Sequence, residues 1–316
     1  MKQELTALVA AIRAQPWAIL PDYLDAIEAI ALRALDADIL DRIGRDGHIE
    51  SVASSLSAVA SVGTRLEGSV MSTVRGDTAV VPLIGTIYPR ASLVNASTDG
   101  TSLDAFMRDI RTAQAAANVS RIVMLVDSPG GVVSGLSEGA ETLRASTKPI
   151  VAFVTGNAAS AAYWLASQAS EIIIDRAGAV GSIGVVATLS VQETPDQSGR
   201  RRHEVVSSSA PNKRPDPMTE EGRATIQQDI DAVEAVFIDD VAAGRGVSAA
   251  KVRADFGKGA MLAGERAVAA GMADRLGTLN GLLGQEDTGR TRQHGAGRSA
   301  RAMADIKTRR LSAEGV

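Results

Sequence analysis

From Thr78 onward, short runs of consecutive apolar and β-branched residues alternate with longer stretches whose apolar positions recur every three or four residues. The short runs predict strands over residues 79–84, 121–126, 150–154 and 171–174, and the longer ones predict helices over 102–118, 133–145 and 160–168. Continuous apolar strands separated by amphipathic helices are the pattern of a parallel sheet covered on both faces. Residues 183–189 and 203–206 read as further strands. After Thr219, a good N-cap, Ile226, Ile230, Val233 and Phe237 mark one face of a long helix that ends at Gly244-Arg245-Gly246. A smaller helical unit follows, with Ser248 as a cap and a second turn of helix over 263–270, and closes near Gly277.

The two ends of the chain have a different pattern. Residues 1–70 look helical, with apolar spacing at Tyr23, Ile27, Ile30, Leu32 and Leu35, and a Ser/Gly-rich passage over 51–68 reads as a linker. The tail from Gln285 is rich in Arg, Gly and Ser and is expected to be disordered. The resulting division is a helical N-terminal extension and linker over 1–74, an α/β domain over 75–284, and a tail over 285–316. No internal repeat is evident.

Composition removes whole classes of chemistry. Apolar residues make up 45% of the chain and aromatics only 3%, so the core must be filled by Ala, Val, Ile and Leu. The net charge of −4 is spread along the chain, which leaves no basic face for nucleic acid. Zero cysteines exclude disulfides, thiolate zinc sites and a Cys nucleophile. Three scattered histidines, His48, His203 and His294, do not suit a His-rich metal centre or a Ser-His-Asp triad. No phosphate-binding Gly-x-x-x-x-Gly-Lys-Ser/Thr occurs, and Gly178, Gly181 and Gly184 are spaced wrongly for a dinucleotide fingerprint. His203-Glu204 lacks the second histidine of a zinc protease. No metal and no organic cofactor is expected. The early apolar stretch is broken at Pro16 and Pro21, and the region 150–166 is cut by Thr155-Gly156-Asn157. Neither reads as a leader or a membrane span, so a cytoplasmic setting without membrane contact is expected.

Serine chemistry remains. Two consecutive strand–loop–helix units carry unusual loops, Asp127-Ser128-Pro129-Gly130-Gly131 and Thr155-Gly156-Asn157-Ala158-Ala159-Ser160. Both lie at carboxyl ends of parallel strands, where open α/β sheets place their ligands. Gly130 and Gly131 leave backbone N–H groups unobstructed, as an oxyanion hole requires. Ser160 falls at a helix start, where unpaired N–H groups favour negative charge. A plain N-cap serine and an ordinary Pro-Gly-Gly turn fit the same residues, and spacing alone leaves both pairs of readings open. For a base, six lysines stand against 27 arginines. Lys2 and Lys307 are terminal, Lys148 precedes Pro149 in a turn, Lys251 lies on a helix face, and Lys258 is flanked by glycines. Lys213 sits in a proline-bracketed loop, Ser209-Ala210-Pro211-Asn212-Lys213-Arg214-Pro215, before the long helix. Lysine serves as a general base only where desolvation or neighbouring cations favour its neutral form, and a solvated loop lysine is the ordinary alternative.

Together, residues 127–131, Ala158-Ala159-Ser160, Gly181-Ser182-Ile183-Gly184-Val185 and 207–217 resemble the signal peptide peptidase A family. They are most similar to its phage branch of minor capsid or head-maturation proteases. The stretches Phe256-Gly257-Lys258-Gly259 and Ala269-Ala270-Gly271-Met272-Ala273-Asp274 fit that branch, and the likeness runs over about residues 75–280 in the expected order. The resemblance implies a crotonase-like (Clp-protease-like) α/β fold, a Ser–Lys dyad and a homo-oligomer. It makes Ser160 the nucleophile, Lys213 the base and Ser182 the hydroxyl that orients the lysine. Gly131 and the backbone of Ala161, with Gly130 alongside, match the oxyanion hole. Many relatives have Gly-Gly after the nucleophile where this chain has Ala161-Ala162, and alanine keeps the N–H donor. The implied substrates are capsid, portal or scaffold proteins, the chain itself among them. A host peptidase that digests signal peptides and a silent head-assembly scaffold protein are the alternatives.

Overall fold

Parallel strands buried on both faces form the centre of the molecule, and the order of the elements explains how. The computed structural model describes residues 16–20, 23, 62–90, 100–189, 191 and 205–284. In chain order these contain β1 (Trp17–Ile19), β2 (Thr64–Arg65), β3 (Thr73–Arg75), β4 (Thr78–Ile84), β5 (Ile87–Tyr88) and β6 (Thr101–Ser102). Next come α1 (Leu103–Ala115), β7 (Arg121–Ser128), β8 (Gly130–Val132), α2 (Leu136–Arg144), β9 (Ile150–Ala159) and α3 (Ala161–Ala166). Then follow β10 (Glu171–Ile174), β11 (Ala179–Gly181), a 3-10 turn (Pro211–Lys213), α4 (Glu220–Arg245), α5 (Ala249–Asp255), β12 (Met261–Ala263), α6 (Gly264–Ala270) and β13 (Arg275–Leu276). One compact unit runs through Leu279, and a second begins at Asn280.

In the larger sheet β4, β7 and β9 lie side by side in parallel, and β9 carries both β10 and β11 in parallel on its far edge. Antiparallel β3 and β2 extend one side, and antiparallel β12 closes β11. A second, four-stranded sheet runs in the order β1-β8-β5-β6. The expected α/β class with a covered parallel sheet is therefore present. Ile122–Val126 and Ile150–Val154 are buried throughout, as expected of strands covered on both faces.

The helices follow their apolar faces. α1 turns Leu103, Phe106, Met107, Ile110 and Ala113 inward, with Ser102 as its N-cap. Asp109 lies on the same buried face and accepts the N–H groups of Val70, Met71 and Ser72 and the hydroxyl of Ser72. That carboxylate fastens the turn before β3 to the helix. Trp164 of α3 stacks on Phe237 of α4 with ring centroids 4.4 Å apart, and its indole N–H donates to Asp240 at 2.9 Å. The buried Tyr163 hydroxyl donates to the Met272 carbonyl at 3.0 Å, and burial pushes this phenol far above its ordinary range.

Five expectations change. Residues 17–19 form a strand rather than part of a helical extension, because they find a partner edge in β8. Residues 64–65 and 73–75 pair into the main sheet, so the folded domain begins ahead of residue 75 and the passage 62–68 is not a free linker. Residues 183–189 form no strand beyond a single bridge at Val186, and Val205 and Val206 of the other expected strand lie in no strand. Gly130–Val132 is a strand rather than a turn. The rest of the expected N-terminal helix, the strand start at 203–204, His48, His203, His294 and the tail over 285–316 lie outside the described residues.

Candidate active site

The position of Ser160 follows from an irregularity in β9. Val126 pairs with Val154, but two residues later Ser128 pairs with Ala158, so β9 bulges over residues 155–157. The Asp127 carboxylate accepts the Asn157 N–H at 3.0 Å and holds the bulge from below. Beyond it, Asn157, Ala158 and Ala159 pair with Ala179, Val180 and Gly181 of β11. Ser160 is the next residue, at the tip where β9 turns into α3. Its N–H donates to the Gly181 carbonyl at 2.7 Å, and its hydroxyl donates to the Gly184 carbonyl at 3.4 Å.

The backbone of Ser160 separates the two readings of this residue. Ser102, Thr219 and Ser248 are ordinary caps: each has negative φ, and each side chain accepts an N–H from the first turn of its helix. Ser160 has φ 53° and ψ −116°, and its hydroxyl caps nothing. This left-handed conformation is costly for any side chain and is found mainly at functional turns. Ser160 is 1% exposed. The buried N–H of Ala161, the first helical position, donates to no group among the described residues. A hydroxyl held at a strand-to-helix tip beside an unpaired amide is an arrangement that acyl transfer uses.

Residues 142–289 match Peptidase family S49, and residues 87–173 match the Clp protease family. Over that stretch the chain is similar to the S49 peptidases. The head-tail preconnector protein GP5 of Enterobacteria phage P21 is 29% identical over 210 residues, covering 63% of this chain and 40% of that protein. The capsid assembly protease C of Escherichia phage lambda is 28% identical over 210 residues, 63% of this chain and 46% of that protein. Protease 4 of Haemophilus influenzae is 26% identical over 211 residues, 64% of this chain and 33% of that protein. The chain thus spans less than half the length of these curated relatives. The Clp protease match agrees with the central parallel sheet and its helices.

Within the S49 region and the stretch before it, the structure brings some of the sequence-derived candidates together. Gly131 is held between Ile87 of β5 and Ala18 of β1. A Cβ on Gly131 would overlap the Ile87 carbonyl, so close strand approach alone already requires glycine there. Gly130, at φ 103°, lies under the Ala18 and Ala159 carbonyls. Its N–H is directed to the Ser128 hydroxyl at 3.2 Å, and that hydroxyl in turn donates to the Gly85 carbonyl. Ser128 therefore fixes the glycine loop, a role the sequence reading did not assign although Ser128 lies inside the quoted motif. Ser182 repeats the unusual backbone of Ser160, with φ 53°, and its N–H donates to the Ala260 carbonyl at 3.2 Å. The neighbouring loop holds Lys258 at φ 50°. Ser160, Ser182 and Lys258 are the non-glycine residues with positive φ among the described residues, and the Ser160 N–H reaches Gly181, the neighbour of Ser182.

Lys213 is not joined to this cluster. It ends the 3-10 turn, is exposed, and makes no hydrogen bond to Ser160 or Ser182. Among the described residues no group of His, Asp and Glu is arranged to hold a metal ion, and no helix is long and apolar enough to cross a membrane.

Proposed function

We propose that the protein is a serine endopeptidase in which Ser160 is the nucleophile and Lys213 the general base. The observation that carries this reading is the Ser160 backbone: a strained, non-capping serine at the tip of β9, beside the unpaired Ala161 amide, inside the S49 match. In the reaction the neutral Lys213 Nζ takes the proton from Ser160 Oγ, and the oxygen attacks the peptide carbonyl carbon. The N–H groups of Gly131 and Ala161 stabilise the resulting oxyanion, with Gly130 shaping the same loop. Collapse breaks the C–N bond, Lys213 returns the proton to the leaving amine, and an acyl-enzyme remains. Water, deprotonated by Lys213, then releases the acid and restores Ser160. Ser182 is the hydroxyl that orients the lysine.

Because Lys213 is exposed and makes no hydrogen bond to Ser160, the loop that carries it must close on Ser160 for this chemistry. Assembly into a homo-oligomer is the step we assign to that closure. The likeness to the lambda capsid assembly protease and the P21 head-tail preconnector supports capsid, portal or scaffold proteins as substrates, cleaved in the cytoplasm or in the assembling particle. The test is incubation of the wild type, Ser160→Ala and Lys213→Arg with casein and with purified phage capsid, portal and scaffold proteins. Cleavage by the wild type alone is the expected result, and equal cleavage by Ser160→Ala overturns the reading.

A further inference from the structure

β1 lies on the edge of β8 that carries the glycine loop. It runs antiparallel to β8, with Trp17 opposite Val132, Ala18 opposite Gly131 and Ile19 opposite Gly130. The Leu20 N–H continues the contact by donating to the Pro129 carbonyl at 2.9 Å. On its other edge, Trp17 exchanges two hydrogen bonds with Val186, of 2.9 and 2.8 Å. The segment is thus clamped on both sides, and Trp17, Ala18 and Ile19 are all at most 3% exposed. Where it crosses Gly130, its Ala18 carbonyl and Ile19 Cα take the space a Cβ would fill, against the Ala159 carbonyl. Ala159 is the residue before Ser160.

The other edge of β8 is already taken by β5. A peptide whose carbonyl is to reach both Ser160 and the Gly131 amide must therefore lie as a strand along the edge that β1 now covers. Strand addition of this kind gains affinity through main-chain hydrogen bonds, and those bonds are here made by the chain's own segment. From this geometry we infer that β1 is an internal occupant of the substrate groove, an autoinhibitory strap that must leave before a substrate strand can bind. The inference rests on the reading of Ser160 and Gly131 as catalytic machinery. The strap is built to be displaced. Pro16 and Pro21 bracket it in sequence and lack the N–H groups that would lengthen the ladder. The occupant it yields to is an extended peptide of the same polarity. Such a peptide presents a small residue opposite Gly131 and a large apolar one opposite Val132, where Trp17 packs edge-on against Tyr88 at 6.2 Å.

A reversible lock tests this. Trp17 and Val186 form a hydrogen-bonded antiparallel pair, whose Cα atoms lie about 5.5 Å apart, within disulfide range. The chain has no cysteine, so Trp17→Cys with Val186→Cys creates a single possible bridge. In a Ser160→Ala background the probe is a fluorescein-labelled peptide with the sequence of residues 14–23. The reduced protein is expected to bind it at least tenfold more tightly than the oxidised protein, a comparison within one polypeptide that cancels any general effect of the substitutions. Leu20→Pro, which deletes the N–H donated to Pro129, is expected to raise peptide binding over the parent in the same way. Equal binding in both redox states and no gain in Leu20→Pro would overturn the strap. Casein cleavage by the disulfide pair with Ser160 restored reads the dyad separately. A redox switch in binding without cleavage in either state would remove the catalytic reading and keep β1 as a groove occupant.

Discussion

Ser160 adopts a backbone conformation that a side chain disfavours, while three serine and threonine caps in the same chain adopt the usual one. This contrast gives a stability test that needs no substrate. At an ordinary N-cap, serine to glycine loses a few tenths of a kcal/mol. At φ 53° glycine relieves strain, so Ser160→Gly is expected to be more stable than the wild type by about 1 kcal/mol, read from urea unfolding. It is also expected to be inactive. A loss of stability would return Ser160 to the role of a plain cap. Lys213 is tested by charge-preserving substitution. A base must shed its proton, and guanidinium cannot do so in the usable range. Wild-type cleavage is expected to rise with pH into the alkaline range, and Lys213→Arg to be silent throughout while melting normally, since Lys213 is exposed. Wild-type-like turnover by Lys213→Arg would exclude it as the base. His203→Ala is expected to keep the wild-type pH profile, and an inactive His203→Ala would point to imidazole instead.

At the level of elements, local signals were legible and tertiary ones were not. The caps Ser102, Thr219 and Ser248 all lie where the helices begin, because capping is decided within four residues. The buried runs over 121–126, 150–154 and 171–174 became strands because their apolar pattern suits a covered sheet. Trp17–Ile19 gave no such signal. Three residues carry no period, and their strand form depends on β8, more than 100 positions away in sequence. The extension of β9 through Thr155-Gly156-Asn157 was hidden for the same reason: Asp127 holds the bulge from another strand. The Gly-Gly and Ser160 motifs were readable, but whether Ser160 capped its helix depended on a φ angle no sequence displays. Asp109 was another silent position, a charge on an apolar helix face that proves to bind three N–H groups and one hydroxyl. Asp109→Ala leaves those donors buried without an acceptor. It is expected to cost about 3 kcal/mol and to lower Tm by about 10 °C in a calorimetric scan. A shift of less than about 2 °C from the wild type would mean the turn before β3 does not depend on this carboxylate.

For the whole molecule, the stability of the unit through Leu279 is tied to pH by Arg245 and Asp274, which join the end of α4 to the segment before β13. Burial by itself would raise the Asp274 carboxyl, but hydrogen bonds from Arg245 and the Ile172 N–H, with the Arg245 charge, hold it below the ordinary aspartate value. A depressed pKa stabilises the fold above the unfolded-state value of about 3.9, and that contribution is lost as pH falls through the lower folded value. The Asp274 side chain is 39% exposed and solvent screens part of the pair, so Asp274→Asn is expected to be destabilised by no more than about 1 kcal/mol at pH 7, with the gap to the wild type closing as pH falls below about 4. A gap that is constant across this range would assign the loss to packing rather than charge.

Covalent capture distinguishes Ser160 as the nucleophile from every other serine of the chain. The protein is treated with a fluorophosphonate under conditions in which it cleaves casein, digested, and the adduct located by mass spectrometry. One adduct is expected, on the Ser160 hydroxyl, forming in step with loss of activity and absent from Ser160→Ala. Full loss of activity with the adduct on another residue, or continued cleavage with Ser160 fully modified, would rule Ser160 out as the nucleophile.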